Sequence, residues 1–270
     1  MLLRSPLPRA FWLSLCAAVA LPLLAQDPVP PKGAEKKGPD KEVVEKIDLL
    51  KECVLDKKMA RDADGVAAID ALLQKLQASV EPKDQQAIVK AFDFTLTQGK
   101  LRPPETVQLY IAAAAALGQC GVDGAKVLKA AYLNKRYPER REWVPLREVF
   151  LRHLGKTKDE AQVKFLCVEA RTNHEAALQA AAGEALGNFE DSKDAVRKEI
   201  VSILIAKWGE IEEIASQIGS GNMEAQNAQD RRATISDKWS STLEKLTRQT
   251  LRKFTEWQTW FNKNKGQPWP

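Results

Sequence analysis

The chain has 270 residues, of which 44% are apolar and 29% charged, and its formal net charge is +5. This length allows one long domain or two small ones, and the composition predicts a soluble protein with a real core rather than a bundle of membrane helices. The near balance of basic and acidic residues argues against a nucleic-acid-binding protein.

The N-terminus has the pattern of a secretory signal peptide. Arg4 and Arg9 form a basic start without acidic residues, and residues 10–24 are an apolar run. This run is short and contains Pro22, which argues against a stable membrane-spanning helix. The pattern therefore predicts an exported protein, periplasmic or secreted.

We expect cleavage near Ala25, because a polar segment begins directly after it. A cut after Ala20 is an alternative, since small residues precede it. Lipid attachment at Cys16 is a second alternative. Either way, the mature chain has no predicted membrane span.

The mature chain keeps three cysteines, Cys53, Cys120 and Cys167. An odd number of widely spaced cysteines is not a disulfide framework, although one disulfide is still possible. Their apolar or small neighbours predict buried thiols.

Residues 26–41 contain four prolines, two glycines and several charges. Such a segment buries too little apolar surface to offset its ordering entropy, so we expect a disordered linker. The folded part is expected to start near Glu42. From there apolar residues recur at helical spacing, and no alternating run is long enough to predict a sheet.

An internal repeat is the strongest signal in the mature chain. The pairs Leu117-Gly118, Leu154-Gly155 and Leu186-Gly187 each end a helical stretch, at spacings of 37 and 32 residues. We expect the three glycines to be structural helix stops in the left-handed conformation. An aspartate follows each of them and can cap the next helix. One helix pair cannot bury its own apolar face, so copies are expected to stack as antiparallel pairs in an α-α solenoid.

The segment AAAGEALGNFEDSKDAVRKEI, residues 180–200, resembles a HEAT repeat. Residues 113–128 resemble it too, and residues 146–166 do so more weakly. HEAT repeats often have Val-Arg at the start of the second helix, and only Arg147 matches that position here. The resemblance implies an all-α, HEAT-like solenoid over 42–218. A tetratricopeptide array has a similar period, but its signature glycine lies inside the first helix.

Residues 219–233 are polar and are predicted to form a loop. Residues 234–270 are predicted to form one amphipathic capping helix and a tail. The apolar stripe of this predicted helix begins at Ile235. The structural cap is expected to comprise Trp239, Phe254, Trp257, Trp260 and Phe261. Residues 243–266 also resemble the C-terminal segment of exported bacterial HEAT-repeat proteins. The alternative is an aromatic platform for a glycan or peptide, and Trp269 falls outside the helical stripe.

The last 40 residues hold nine basic and three acidic side chains. Arg231, Arg232, Arg248 and Arg252 therefore form a possible basic surface for an acidic partner or an anionic membrane. The simpler interpretation is a solvated helix face.

No catalytic, cofactor-binding or metal-binding residue is predicted. His153 and His174 are the two histidines. The chain lacks the HExxH, GxSxG and phosphate-loop patterns. Around Gly65 an EF-hand would lack both essential carboxylates.

Two hypotheses on function follow. The first is an exported scaffold that binds a protein or peptide partner, without catalysis, a cofactor or nucleic acid. The second is an enzyme, or a carbohydrate- or ligand-binding protein, that uses a groove of the solenoid. A cleft in which carboxylates converge with His153 or His174 would favour the second.

Overall fold

The computed structural model describes residues 40–78, 80–217 and 222–269. This part of the chain is all-α and contains no strand, which confirms the predicted fold class. Its helices are α1 Lys41–Leu55, α2 Asp62–Gln77, α3 Pro82–Thr97, α4 Gln108–Leu117, α5 Gly121–Tyr132, α6 Val144–Lys156, α7 Val163–Thr172, α8 Ala176–Leu186, α9 Asp194–Ala215, α10 Met223–Thr247 and α11 Phe254–Asn264.

The first ten helices form five consecutive pairs that stack as a solenoid. Within each pair the two helices pack against each other, from α1 with α2 to α9 with α10. The second helices form a continuous row, in which α2, α4, α6, α8 and α10 each contact the next. Because the connections within pairs are short, the paired helices run antiparallel. The helix α11 packs on α9 and closes the stack.

The folded region starts one residue before the expected position. The helix α1 begins at Lys41, and the Asp40 carboxylate accepts a hydrogen bond from the Glu42 amide at 2.9 Å. This cap satisfies one of the free N–H groups of the first turn. The predicted signal peptide, the Cys16 alternative and residues 26–39 of the predicted linker lie outside the described residues.

The three repeat glycines mark equivalent places in α4, α6 and α8, but the left-handed conformation expected of them is wrong. Gly118 and Gly187 follow the last residues of α4 and α8 with φ of −58° and −64°. Gly155 lies inside α6, and the left-handed residue after that helix is Lys158, with φ of 53°.

The physical reason for these glycines is close packing between successive helices of the second row. A Cβ added at Gly118 would lie 3.0 Å from a side chain of α6. At Gly155 it would lie 2.3 Å from the Ala185 carbonyl oxygen of α8, and at Gly187 3.1 Å from a side chain of α10. The glycines therefore set the spacing between pairs rather than the direction of the chain.

The predicted polar loop at 219–233 is wrong for residues 223–233, which form the first turns of α10. The Asn222 side chain accepts a hydrogen bond from the Ala225 amide at 3.1 Å and starts the helix. Ala225 and Ala228 are buried on one side, while the polar residues lie on the other. Polarity there indicates an exposed helix face, not a loop. Residues 219–221 lie outside the described residues.

The single capping helix predicted at 234–270 is also wrong, because the chain breaks between α10 and α11. Arg248 has φ of 57°, and residues 248–253 turn back along α10. The Leu251 carbonyl accepts a hydrogen bond from Ser240 Oγ at 3.0 Å, which fixes this return. The helix α11 then runs antiparallel to α9, since its start lies against Gly209 and the residues after it reach Lys198.

One edge of the solenoid is tied together by an arginine row, formed by Arg102, Arg136, Arg147 and Arg231. Each of these guanidinium groups donates hydrogen bonds to carbonyl oxygens at or just after the end of the first helix of a pair. Arg102 donates to the ends of α1 at 3.0 and 3.1 Å, and Arg136 to the residues after α3 at 3.0 Å.

Arg147 and Arg231 continue the row. Arg147 donates to the last carbonyl of α5 at 3.0 Å, and Arg231 donates to the two carbonyls after α7 at 3.2 and 2.6 Å. The last carbonyls of a helix lack hydrogen-bond partners within the helix and carry partial negative charge. A guanidinium group donates hydrogen bonds to them and also compensates this charge.

The three cysteines in the described part of the chain are unpaired. Cys53 and Cys167 are buried and Cys120 is half-buried. Burial raises the pKa of the Cys167 thiol to about 12 and that of Cys120 to about 11, as expected for buried thiols. Among the described helices, none is both long and apolar enough to cross a bilayer.

Candidate functional site

The residues predicted to form the cap differ in burial. Trp239 and Trp257 are fully buried, whereas Phe254, Trp260 and Phe261 are partly exposed. Trp257 Nε1 donates to Ser240 Oγ at 3.1 Å, so this indole joins α11 to α10. A buried indole with a hydrogen-bond partner is typical of a packing contact.

Trp239 is seated directly on α8. A Cβ added at Gly183 would lie 2.0 Å from Trp239 Nε1, so only glycine leaves room for the ring. Trp208 of α9 packs edge-on against Trp239, with ring centroids 6.5 Å apart, and Phe254 packs on Trp208 at 5.8 Å. Aromatic rings thus connect α8, α9, α10 and α11.

Trp269, which the helical pattern leaves out, folds back onto α11. Its ring lies 5.2 Å from that of Trp260 and 6.3 Å from that of Phe261. Lys198 Nζ lies 5.5 Å above the same ring and donates to the Gln267 carbonyl at 2.6 Å. The tail is therefore part of the packed end, and Trp269 is buried.

The face of α11 that points away from the solenoid is polar. Its exposed side chains include Glu256, Thr259 and Lys263. Glu256 accepts hydrogen bonds from the amides of Lys253 and Arg252 at 3.0 and 3.1 Å, and these bonds lower the pKa of its carboxyl. A polar outer face is what a terminal cap needs to prevent further stacking.

A groove of about 1080 Å³, the C-terminal cleft, lies between α9 and α11. One wall is α9 from Ser202 to its end, with Ser216 directly after it, and the other is the start and inner side of α11. Arg232 and Ser236 of α10 lie at the end beyond the first residue of α11. At a rise of 1.5 Å per residue, the α9 wall is about 21 Å long.

The floor of the C-terminal cleft is aromatic and its open end is charged. Trp208, Phe254 and Phe261 line it, together with Ile205. At the charged end, Glu212 Oε1 accepts from Trp208 Nε1 at 3.0 Å, and its other oxygen pairs with Arg232 at 3.2 Å. This carboxylate is held in place by both partners.

Three charged side chains of the cleft make no ion pair with any described residue: Arg252, Lys253 and Glu213. All three are exposed. They are available to a ligand, and the sequence singled out only Arg252 among the predicted site residues.

The structure does not bring the four predicted basic residues together. Arg231 is used in the arginine row, and its guanidinium also donates to the Gln179 oxygen at 2.7 Å. Arg232 is paired, as described above, and shares the C-terminal cleft with Arg252. Arg248 lies about 25 Å from Arg231 along α10. One continuous basic surface is therefore not formed by these residues.

A second, smaller cleft of about 480 Å³ lies at the turns that connect α5 with α6 and α7 with α8, and is called the turn cleft. It contains His174, together with Glu139, Glu169 and Glu175. This is the combination that the second functional hypothesis requires. His174 and Glu175 are exposed.

The carboxylates of the turn cleft are largely engaged in holding the turns. Glu169 accepts from the Tyr132 hydroxyl at 2.6 Å and from Asn173 Nδ2 at 2.7 Å. Glu139 pairs with Arg147 at 3.0 Å. Among the described residues neither histidine makes a hydrogen bond to a carboxylate, so the geometry of a catalytic dyad is not formed here.

His153 lies outside both clefts, between α4 and α6. Its Nδ1 is buried without a hydrogen-bond partner in the described structure, and a Cβ on Gly118 would lie 3.0 Å from it. Burial is the main cause that lowers the pKa of this imidazole to about 4. His153 is therefore a neutral packing residue.

Sequence reasoning missed Arg102, whose one ion-pair partner among the described residues is Asp62. The two groups meet at 2.7 Å, and Arg102 is fully buried. No motif marks this pair, because its members are 40 residues apart. Groups of three or more histidine, cysteine or acidic residues that could hold a metal are absent from the described residues.

Comparisons of the chain with known protein families, with curated proteins and with solved structures find no match.

Proposed function

We propose that this chain is an exported, HEAT-like scaffold that binds a protein or peptide partner and has no catalytic activity of its own. The observation that carries the proposal is the C-terminal cleft, which combines an aromatic floor with unpaired charges. The signal-peptide pattern supports export, and the three Leu-Gly repeats support the HEAT-like assignment.

The dimensions of the cleft favour a polypeptide over a small molecule. Sites for small ligands usually measure about 300–1000 Å³ and enclose most of the ligand surface. This cleft, about 1080 Å³, lies at the upper end of that range and is open to solvent, so it would not enclose a small ligand. An elongated partner that lies along the groove would cover the exposed edges of Phe254 and Phe261.

Photo-crosslinking in the envelope fraction tests this proposal. A photoreactive residue at Gln258, in the cleft, is compared with one at Thr259, on the polar outer face of α11. We expect a crosslinked protein band at Gln258 and none at Thr259. Equal capture at both positions, or no protein at either, would contradict the proposal.

A second candidate function, ligand binding or catalysis in a groove, is favoured by the turn cleft with His174 and its neighbouring carboxylates. The test is saturation-transfer NMR with a panel of oligosaccharides and short peptides on the full chain. Signals that disappear in His174→Ala, while the melting temperature is unchanged, would support this candidate over the scaffold.

A further inference from the structure

The C-terminal cleft is bounded by two helices that present regularly spaced side chains to it. On α9 these are Ser202, Ala206, Gly209, Glu213 and Ser216, which follow each other at intervals of four and three residues. On α11, Phe254, Gln258 and Phe261 have the same spacing. This is the periodicity with which one helix packs into the groove between two others.

The α9 wall has little side-chain bulk. Ser202, Ala206 and Ser216 are exposed, whereas Gly209 lies under Phe254, whose ring would be 3.1 Å from a Cβ at that position. Small residues at this spacing let a further helix axis come close to α9, while Phe254 and Phe261 supply apolar surface from the other wall. The groove is therefore both shallow enough and apolar enough on one side for a helix to be seated in it.

Backbone hydrogen bonding separates a helical occupant from an extended one. An extended peptide needs partners for its own N–H and C=O groups, which it usually finds at an exposed strand edge. The described part of the chain has no strand, and both long walls of the cleft are helices whose backbone groups bond internally. A helix satisfies its own backbone and needs only side-chain contacts.

The unpaired charges give the occupant a direction. Arg252 and Lys253 lie immediately before the first residue of α11, where the partial positive charge of the helix end adds to theirs. Glu213 lies on the opposite wall, one turn beyond Gly209. A complementary helix has acidic groups at its end near Arg252 and a basic side chain facing Glu213.

From this geometry we infer that the C-terminal cleft receives one amphipathic α-helix of a partner protein, acidic at the end that faces Arg252 and Lys253. The inference rests on the proposed scaffold function and specifies the chemistry of the partner. The α9 wall is about 21 Å long, which corresponds to about four helical turns.

Two display libraries selected on the full mature chain test the inference. In one, a fixed helical host of 16 residues is randomised on one face; in the other, regularly placed prolines keep a segment of equal length extended. We expect cleft binders from the helical library alone, with acidic residues enriched in the turn that faces Arg252.

Variants of the chain then locate the binders. Ala206→Trp fills the groove and should lower the affinity for the selected helices at least tenfold. Arg252→Glu with Lys253→Glu should weaken binding of the selected helices about tenfold, which is about 1.4 kcal/mol, because two exposed ion pairs are lost. The matched control, Lys263→Glu with Lys265→Glu, makes the same change in net charge at the far end of α11 and should have no such effect.

The outcomes separate this inference from the proposed function. Binders from the extended library alone, helical binders indifferent to Ala206→Trp, or no binders from either library would overturn the helical partner. If Gln258 still crosslinks a protein in that case, the scaffold function stands and only the helix is wrong. Loss of crosslinking at Gln258 would overturn the function itself.

Discussion

Replacing Trp257 by alanine is the sharpest test of how the C-terminal end is built. The indole is fully buried and donates to Ser240 Oγ at 3.1 Å, so the substitution removes both a large apolar contact and a bridge from α11 to α10. Truncation of a buried tryptophan typically costs about 3–5 kcal/mol. For a domain of this size about 1 kcal/mol corresponds to 2–4 °C, so the melting temperature should fall by about 6–20 °C.

Thermal unfolding followed by far-UV circular dichroism measures this change. Trp260→Ala should cost less, about 1–2 kcal/mol, because Trp260 is partly exposed and packs mainly on Trp269. Gln258→Ala, on the same helix and exposed, should stay within about 0.5 kcal/mol of the parent chain. If Trp257→Ala melted with the parent chain, or if Gln258→Ala were equally damaging, α11 would not be a structural cap.

Further outcomes follow from packing and titration. Gly155→Ala forces a methyl group against the α8 backbone, and overpacking should lower the free energy of unfolding by about 1–3 kcal/mol in urea titrations, whereas Gly266→Ala, in open space, should be neutral. The pKa of His153 is lowered to about 4 in the folded chain, whereas an unfolded histidine titrates near 6.5, so between these pH values the unfolded chain binds one proton more. The free energy of unfolding should therefore fall as the pH falls from about 6.5 to 4. His153→Leu should make the urea midpoint less dependent on pH in this range. Arg102→Met leaves buried carbonyls and a carboxylate without their partner and should cost about 3 kcal/mol by the same titration; a loss below about 1 kcal/mol would contradict the buried role. Alkylation of Cys167 at neutral pH should be slow in buffer and fast in urea, because burial raises the pKa of its thiol to about 12, and equal rates would refute that burial.

The solenoid could be predicted because its signals are local and repeated. Leu117, Leu154 and Leu186 are all fully buried, and each precedes a glycine at the same place in a second-row helix. Helical spacing of apolar residues between these points is enough to define the fold class. The reason for the glycines was not predictable, because each touches a different helix that is distant in sequence.

The C-terminal cleft could not be predicted, because it depends on a reversal that the apolar pattern conceals. The apolar stripe from Ile235 to Phe261 keeps its helical phase across residues 248–253, although these are not helical. The break is made by Arg248 in the left-handed region, a conformation that sequence patterns assign to glycine or asparagine. Because α11 therefore runs back along α9, Arg252 and Lys253 border the same cleft as Glu213.

At the start of α10 the sequence predicted a loop where the structure has a helix. Its composition is polar, which suggested a loop, yet Asn222 caps the helix and two buried alanines fix its inner side. A helix whose apolar face is only two alanines wide has almost no hydrophobic signal. Tertiary contacts such as that of Arg232 with Glu212 provide the rest, and they are invisible in the sequence.

The arginine row has a consequence for how the solenoid comes apart. Arg102, Arg136 and Arg231 each donate hydrogen bonds from their own helix pair to backbone carbonyls of the preceding pair. When one pair detaches, these carbonyls and the guanidinium groups lose their partners. When the stability of a solenoid is described as a sum over helix pairs and over the interfaces between them, these hydrogen bonds add to the interface terms and not to the stability of a single pair. The chain should consequently unfold as one block rather than fray pair by pair, and under tension it should yield in a single large step.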